Sequence, residues 1–184
     1  MNKKALDRKK IQAIVEDEIN SGKPKSQILN ELSDKYYDKK TLATIIASTV
    51  GEETKEEYKL LNNILLGLLL SIIIFKIGIG LFALSNISIF LSPLALLFPF
   101  LTILFAVEVA KFRGHAYRLI VLLSAVGVLQ ALANISKAGL WVLVDIIIAI
   151  IIGALSFYLG KKMFPHYDLF GPKKDDNGNF IMER

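Results

Sequence analysis

The chain reads as an all-α membrane protein, a four-helix transmembrane bundle with a small N-terminal cytoplasmic helical domain. Three observations predict this. The 184 residues are 53% hydrophobic, yet residues 1–60 hold 12 of the 22 Lys+Arg and 11 of the 17 Asp+Glu. Four apolar runs follow that charged head. The connections between the runs alternate between uncharged and basic. Such a split marks a small soluble segment fused to a membrane segment.

The head (1–57) is built from short amphipathic pieces. Leu6, Ile11, Ile14, Val15 and Ile19 recur at helical spacing and predict a helix over 5–20. The SGKP run at 21–24 breaks it. Ser26 is placed to cap a second helix presenting Ile28, Leu29, Leu32 and Tyr36, and Asp38 a third with Leu42, Ile45, Ile46 and Val50 inward. Gly51 ends the third, and 52–59 leads as a charged helix into the first span. So small a core is marginal alone and is expected to lean on the membrane segment or on another protein.

A hydrocarbon core about 30 Å thick needs ~20 apolar residues in a helix. The runs 60–84, 89–110, 117–133 and 140–159 meet that need and lack the alternation of a barrel strand. They define a membrane segment over 58–162 and leave 163–184 as a polar tail. The first connection, 85–88, carries no charge, while 111–118 carries Lys111, Arg113 and Arg118. The third, 134–137, holds only Lys137, and the tail opens with Lys161 and Lys162. Basic connections stay on the cytoplasmic side, so both termini are expected in the cytoplasm of a bacterial inner-membrane protein. Trp141 then falls in the outer interfacial belt. No apolar signal-peptide core follows the basic N-terminus, so the first span is expected to act as an uncleaved anchor.

Lys76 and Asp145 are the charges deep within the runs. Counted from the outer ends they lie at matching depth, about 9–13 Å in. An intramembrane charge costs ~3 kcal/mol on insertion scales, so an ion pair between the first and fourth spans is expected. Gln130 and Asn134 lie near the same depth on the third span. The four residues are candidates for an outward-open polar cluster. Small residues mark candidate packing faces: Gly67, Ser71 and Gly78 on the first span, Gly127 on the third, Gly153 on the fourth. Pro99 lies well inside the second span and is a candidate hinge. Glu108, Lys111, Arg113 and Arg118 form a candidate interfacial charge cluster at the cytoplasmic end.

Enzymatic signatures are missing from the chain: no G-x-S-x-G, no H-E-x-x-H, no P-loop, no cysteine. The DDNG run at 175–178 does not make a calcium loop, because aligning Gly178 to the loop glycine puts Lys173 and Arg184 at ligand positions. No catalytic residue, metal or cofactor is expected. The head is nearly charge-balanced, which argues against nucleic acid despite the net charge of +5. The expected role is non-enzymatic: a membrane interaction protein, an accessory subunit or an immunity-type protein, touching membrane lipids and a membrane or cytoplasmic protein partner or a second copy of itself. The competing expectation is a small oligomeric transporter or channel using Lys76, Asp145, Gln130 and Asn134.

Overall fold

The computed structural model describes residues 7–84, 92–133, 140–169 and 171–182. Within these, the side chains of residues 76, 79–84, 92–99, 133, 140 and 141 lie outside the description. The described chain is almost wholly helical. Three short helices, α1 (Arg8–Asn20), α2 (Lys25–Lys35) and α3 (Lys39–Ser48), precede four longer ones, α4 (Glu52–Leu84), α5 (Ser92–Ala110), α6 (Gly114–Ala133) and α7 (Leu140–Met163). A two-stranded ribbon, β1 (Tyr167–Asp168) with β2 (Gly171–Pro172), follows.

The head folds because its apolar positions converge. Ile11 and Val15 of α1, Ile28, Leu29 and Leu32 of α2, and Leu42, Ala43, Ile46 and Ala47 of α3 are all buried in one core. Asp7 caps α1 by accepting from the amides of Lys9 and Lys10, and Asp38 caps α3 by accepting from Thr41 N at 2.9 Å. Two local expectations fail. Pro24 rather than Ser26 takes the cap position of α2, since its fixed φ suits the entry to a helix. Ile14 is 40% exposed, because Ile11 and Val15 already fill the face turned to α3.

The head is clasped to the first long helix. Asn20, the last residue of α1, accepts the Glu52 amide at 2.8 Å through its side-chain oxygen and so caps α4 from another helix. Lys55 on α4 reaches both Glu16 of α1 and Glu52. Gly51 allows this approach: a Cβ there would stand 3.1 Å from Ile19 Cγ2. Lys25 donates to Thr49 O at 2.7 Å, beyond the C-terminus of α3.

Three helices are long and apolar enough to cross a membrane: α4 through Glu52–Phe75, α6 through Gly114–Leu132 and α7 through Val142–Met163. The other expected span falls in α5, a helix over Ser92–Ala110. At 33 residues α4 is about 50 Å long, more than a bilayer core needs, so its first turns serve as the stalk under the head. α4 packs on α5, α6 packs along α7, and α4 also meets α7, so the four longer helices form two pairs in contact. Gly153 of α7 lets α6 come close, a Cβ there meeting Ser124 Cβ at 3.1 Å.

The tail folds back on the head-side end. Phe164, Tyr167 and Met182 are buried, and both ribbon strands lie against α3. Asp175 accepts from the amides of Asn177 and Asn179, with Gly178 at φ +80°, which closes a turn there.

Candidate functional site

Two places gather polar side chains within the apolar helices. The first is the head-side end of the bundle. Asn62 of α4 is buried and donates to Val109 O of α5 at 3.2 Å. The buried Tyr117 hydroxyl of α6 donates to Asn62 Oδ1 at 2.6 Å. Three helices therefore meet on one asparagine. The sequence reading passed over Asn62. Its signal was there, since a short amide two residues into an apolar run cannot reach out to water and needs a partner.

Beside that knot lies the expected charge cluster, and it divides. Glu108 pairs with Arg113 at 3.0 Å and with His115 Nε2 at 3.1 Å. Lys111 is exposed and joins no ion pair among the described residues. Arg118 does not join the cluster at all. It is buried and donates to Gly160 O at 3.4 Å and Tyr167 O at 2.9 Å. The cause is the tight turn between α5 and α6. Phe112 adopts φ +51° there, a conformation costing a non-glycine residue about 1 kcal/mol or more. Arg113 stays in the turn while Arg118, one helical turn into α6, faces the last turn of α7. The carbonyl-rich C-terminal end of α7 offsets its charge. Gly114 sits under the Phe164 ring, and the ring packs on Tyr117 with centroids 5.5 Å apart.

The second place is a cleft of about 800 Å³ between the two helix pairs, in the half away from the head. Its walls are mostly apolar, with Phe75 and Phe105 among them. Ser71, Ser124, Gln130 and Asp145 supply polar groups. Asp145 and Gln130 thus lie on one cleft, while the Lys76 side chain and the whole of Asn134 lie outside the described residues, and with them the expected Lys76–Asp145 pair. Among the described residues Asp145 has no hydrogen-bonding or ion-pair partner.

The small residues also divide. Gly153 lies at the α6–α7 contact, whereas a Cβ at Gly67, Gly78 or Gly127 would meet nothing within 4 Å. Among the described residues no atom stands against those three, and Gly127 lines the cleft. Pro99 falls within α5, and its side chain lies outside the described residues. Among the described residues no group of three or more His, Cys, Asp or Glu is placed to hold a metal.

Compared with known proteins, the chain matches no family model, no curated protein and no solved structure.

Proposed function

We propose that the protein is a non-enzymatic interaction protein of the bacterial inner membrane. Its four spans (α4 to α7) form a bundle with both termini in the cytoplasm, and the three-helix head serves as an adaptor. The observation that carries the reading is the unpartnered small-residue face of α4. Gly67 and Gly78 fall on one side of the helix, and among the described residues a Cβ at either would meet nothing within 4 Å. Lipid tails are as apolar as leucine, so burial alone does not join helices in a membrane. Small faces do, by letting backbones come close. An open face of this kind suits another membrane helix, from an accessory-type complex, an immunity-type target or a second copy. The test is the intact mass of the protein released from its native membrane into nanodiscs. A stoichiometric complex that Gly67→Leu and Gly78→Leu dissociate supports the reading. A monomer without bound protein, unaltered by either change, refutes it.

A second reading, a small transporter, is favoured by one observation, the carboxylate of Asp145 on a ligand-sized cleft at membrane depth. A carboxylate is costly there and marks solute pathways in membrane proteins.

A further inference from the structure

We propose that the cleft between the two helix pairs binds lipophilic organic cations, with Asp145 as the counter-charge. The inference deepens the transporter reading by naming the substrate class, but it rests on the geometry of the cleft and needs no movement of solute.

The cleft volume, about 800 Å³, falls in the ~300–1,000 Å³ range of small-molecule sites. It is far larger than an inorganic ion. Such an ion would also need several oxygen ligands to replace its water, and among the described residues Asp145 is the sole acidic one lining the cleft. The walls suit the body of an organic cation instead. They are largely aliphatic, and Phe75 and Phe105 add aromatic rings, whose faces attract a positive charge. Ser71, Ser124 and Gln130 line the same space and can orient a polar edge.

Charge complementarity selects the cation. Lipid tails alone would fill the apolar volume and leave the Asp145 carboxyl without a polar partner among the described residues. A neutral guest leaves the same deficit. A monocation with an apolar shell satisfies both, since its shell replaces lipid against the walls and its charge offsets the carboxylate. Gly127 keeps the space open, as a Cβ there would touch nothing within 4 Å.

The test is equilibrium binding of tetraphenylphosphonium to the full chain in nanodiscs of neutral lipid. Saturable binding is expected at about one per chain. Asp145→Asn is expected to weaken it about tenfold or more, near 1.4 kcal/mol, and Asp145→Glu to retain it. Gly127→Leu fills the cleft without touching its charge and is expected to weaken binding as well, which keeps the test decisive where Asp145→Asn fails to fold. Equal affinity in the parent and Asp145→Asn overturns the proposal. So does displacement by neutral triphenylphosphine oxide as effective as by the cation itself. Uptake into proteoliposomes is scored separately: saturable, Asp145-dependent binding without uptake supports the site and removes the transporter reading.

Discussion

Removing the Tyr117 hydroxyl tests whether the asparagine knot holds the head-side end of the bundle together. In Tyr117→Phe the ring and its contact with Phe164 remain. Only the 2.6 Å bond to Asn62 Oδ1 is lost, together with a long 3.5 Å approach to Val109 O. Asn62 is 1% exposed, so water does not replace the donor, and its oxygen is left without a partner. A buried acceptor so orphaned costs ~1–3 kcal/mol in water-soluble proteins. Hydrogen bonds between membrane helices average nearer ~0.6 and reach ~1.7 kcal/mol. The knot lies at the end of the spans rather than mid-bilayer, which sets the expected loss at about 1–2 kcal/mol. Asn62→Leu should cost at least as much, because it removes one of the donors to Val109 O, which keeps the Phe112 amide, and leaves the Tyr117 hydroxyl with only the 3.5 Å contact. In the double variant Asn62→Leu/Tyr117→Phe no side-chain polar group of the pair remains buried. The two losses should therefore overlap by about 1 kcal/mol. Reversible unfolding in mixed micelles, followed by circular dichroism, measures all four corners of the cycle. Additive losses, with coupling below about 0.3 kcal/mol, would refute the account.

Two further outcomes follow from the same packing. Gly114→Ala would bring a Cβ to 2.7 Å from the buried Phe164 ring, so a loss of about 1–3 kcal/mol is expected in the same unfolding assay, with Phe164→Leu restoring part of it in the double variant. Burial lowers the Lys25 ammonium from 10.5 to about 8. Below that window the lysine is charged in folded and unfolded chains alike, and above it neutral in both. Between about 8 and 10.5 the unfolded chain binds the extra proton, so head stability should rise with pH. Amide exchange in α2 and α3 reads this, and Lys25→Met should abolish the slope.

Most of the helical framework was legible in the sequence, because long apolar runs and helical periodicity in the head are local signals. Asp38 was identified as a cap from its position alone, and the expected 140–159 run reappears within α7. The start of α6 was placed three residues late, at Tyr117 rather than Gly114. Gly114 reads as a turn residue, and its room under Phe164 depends on a segment 50 positions away. The partners were the illegible part. Sequence gives the depth of a residue in a span, not which helices meet there. Glu108, Lys111, Arg113 and Arg118 looked like one group because they are close along the chain. The α5–α6 turn sends Arg118 to α7 instead. Gly67 and Gly153 looked equivalent, yet among the described residues only Gly153 has a neighbouring side chain against it.

The Arg118 contacts also impose an order in time. The arginine is buried only because it reaches the carbonyls of Gly160 and Tyr167, and Tyr167 lies 49 residues further along the chain. At ~5–20 residues per second, translation delivers that carbonyl roughly 2–10 s after Arg118 itself. Through that interval α6 has a guanidinium with nowhere to settle except water or a phosphate headgroup. Burial of that guanidinium therefore waits on the segment that carries Gly160 and Tyr167.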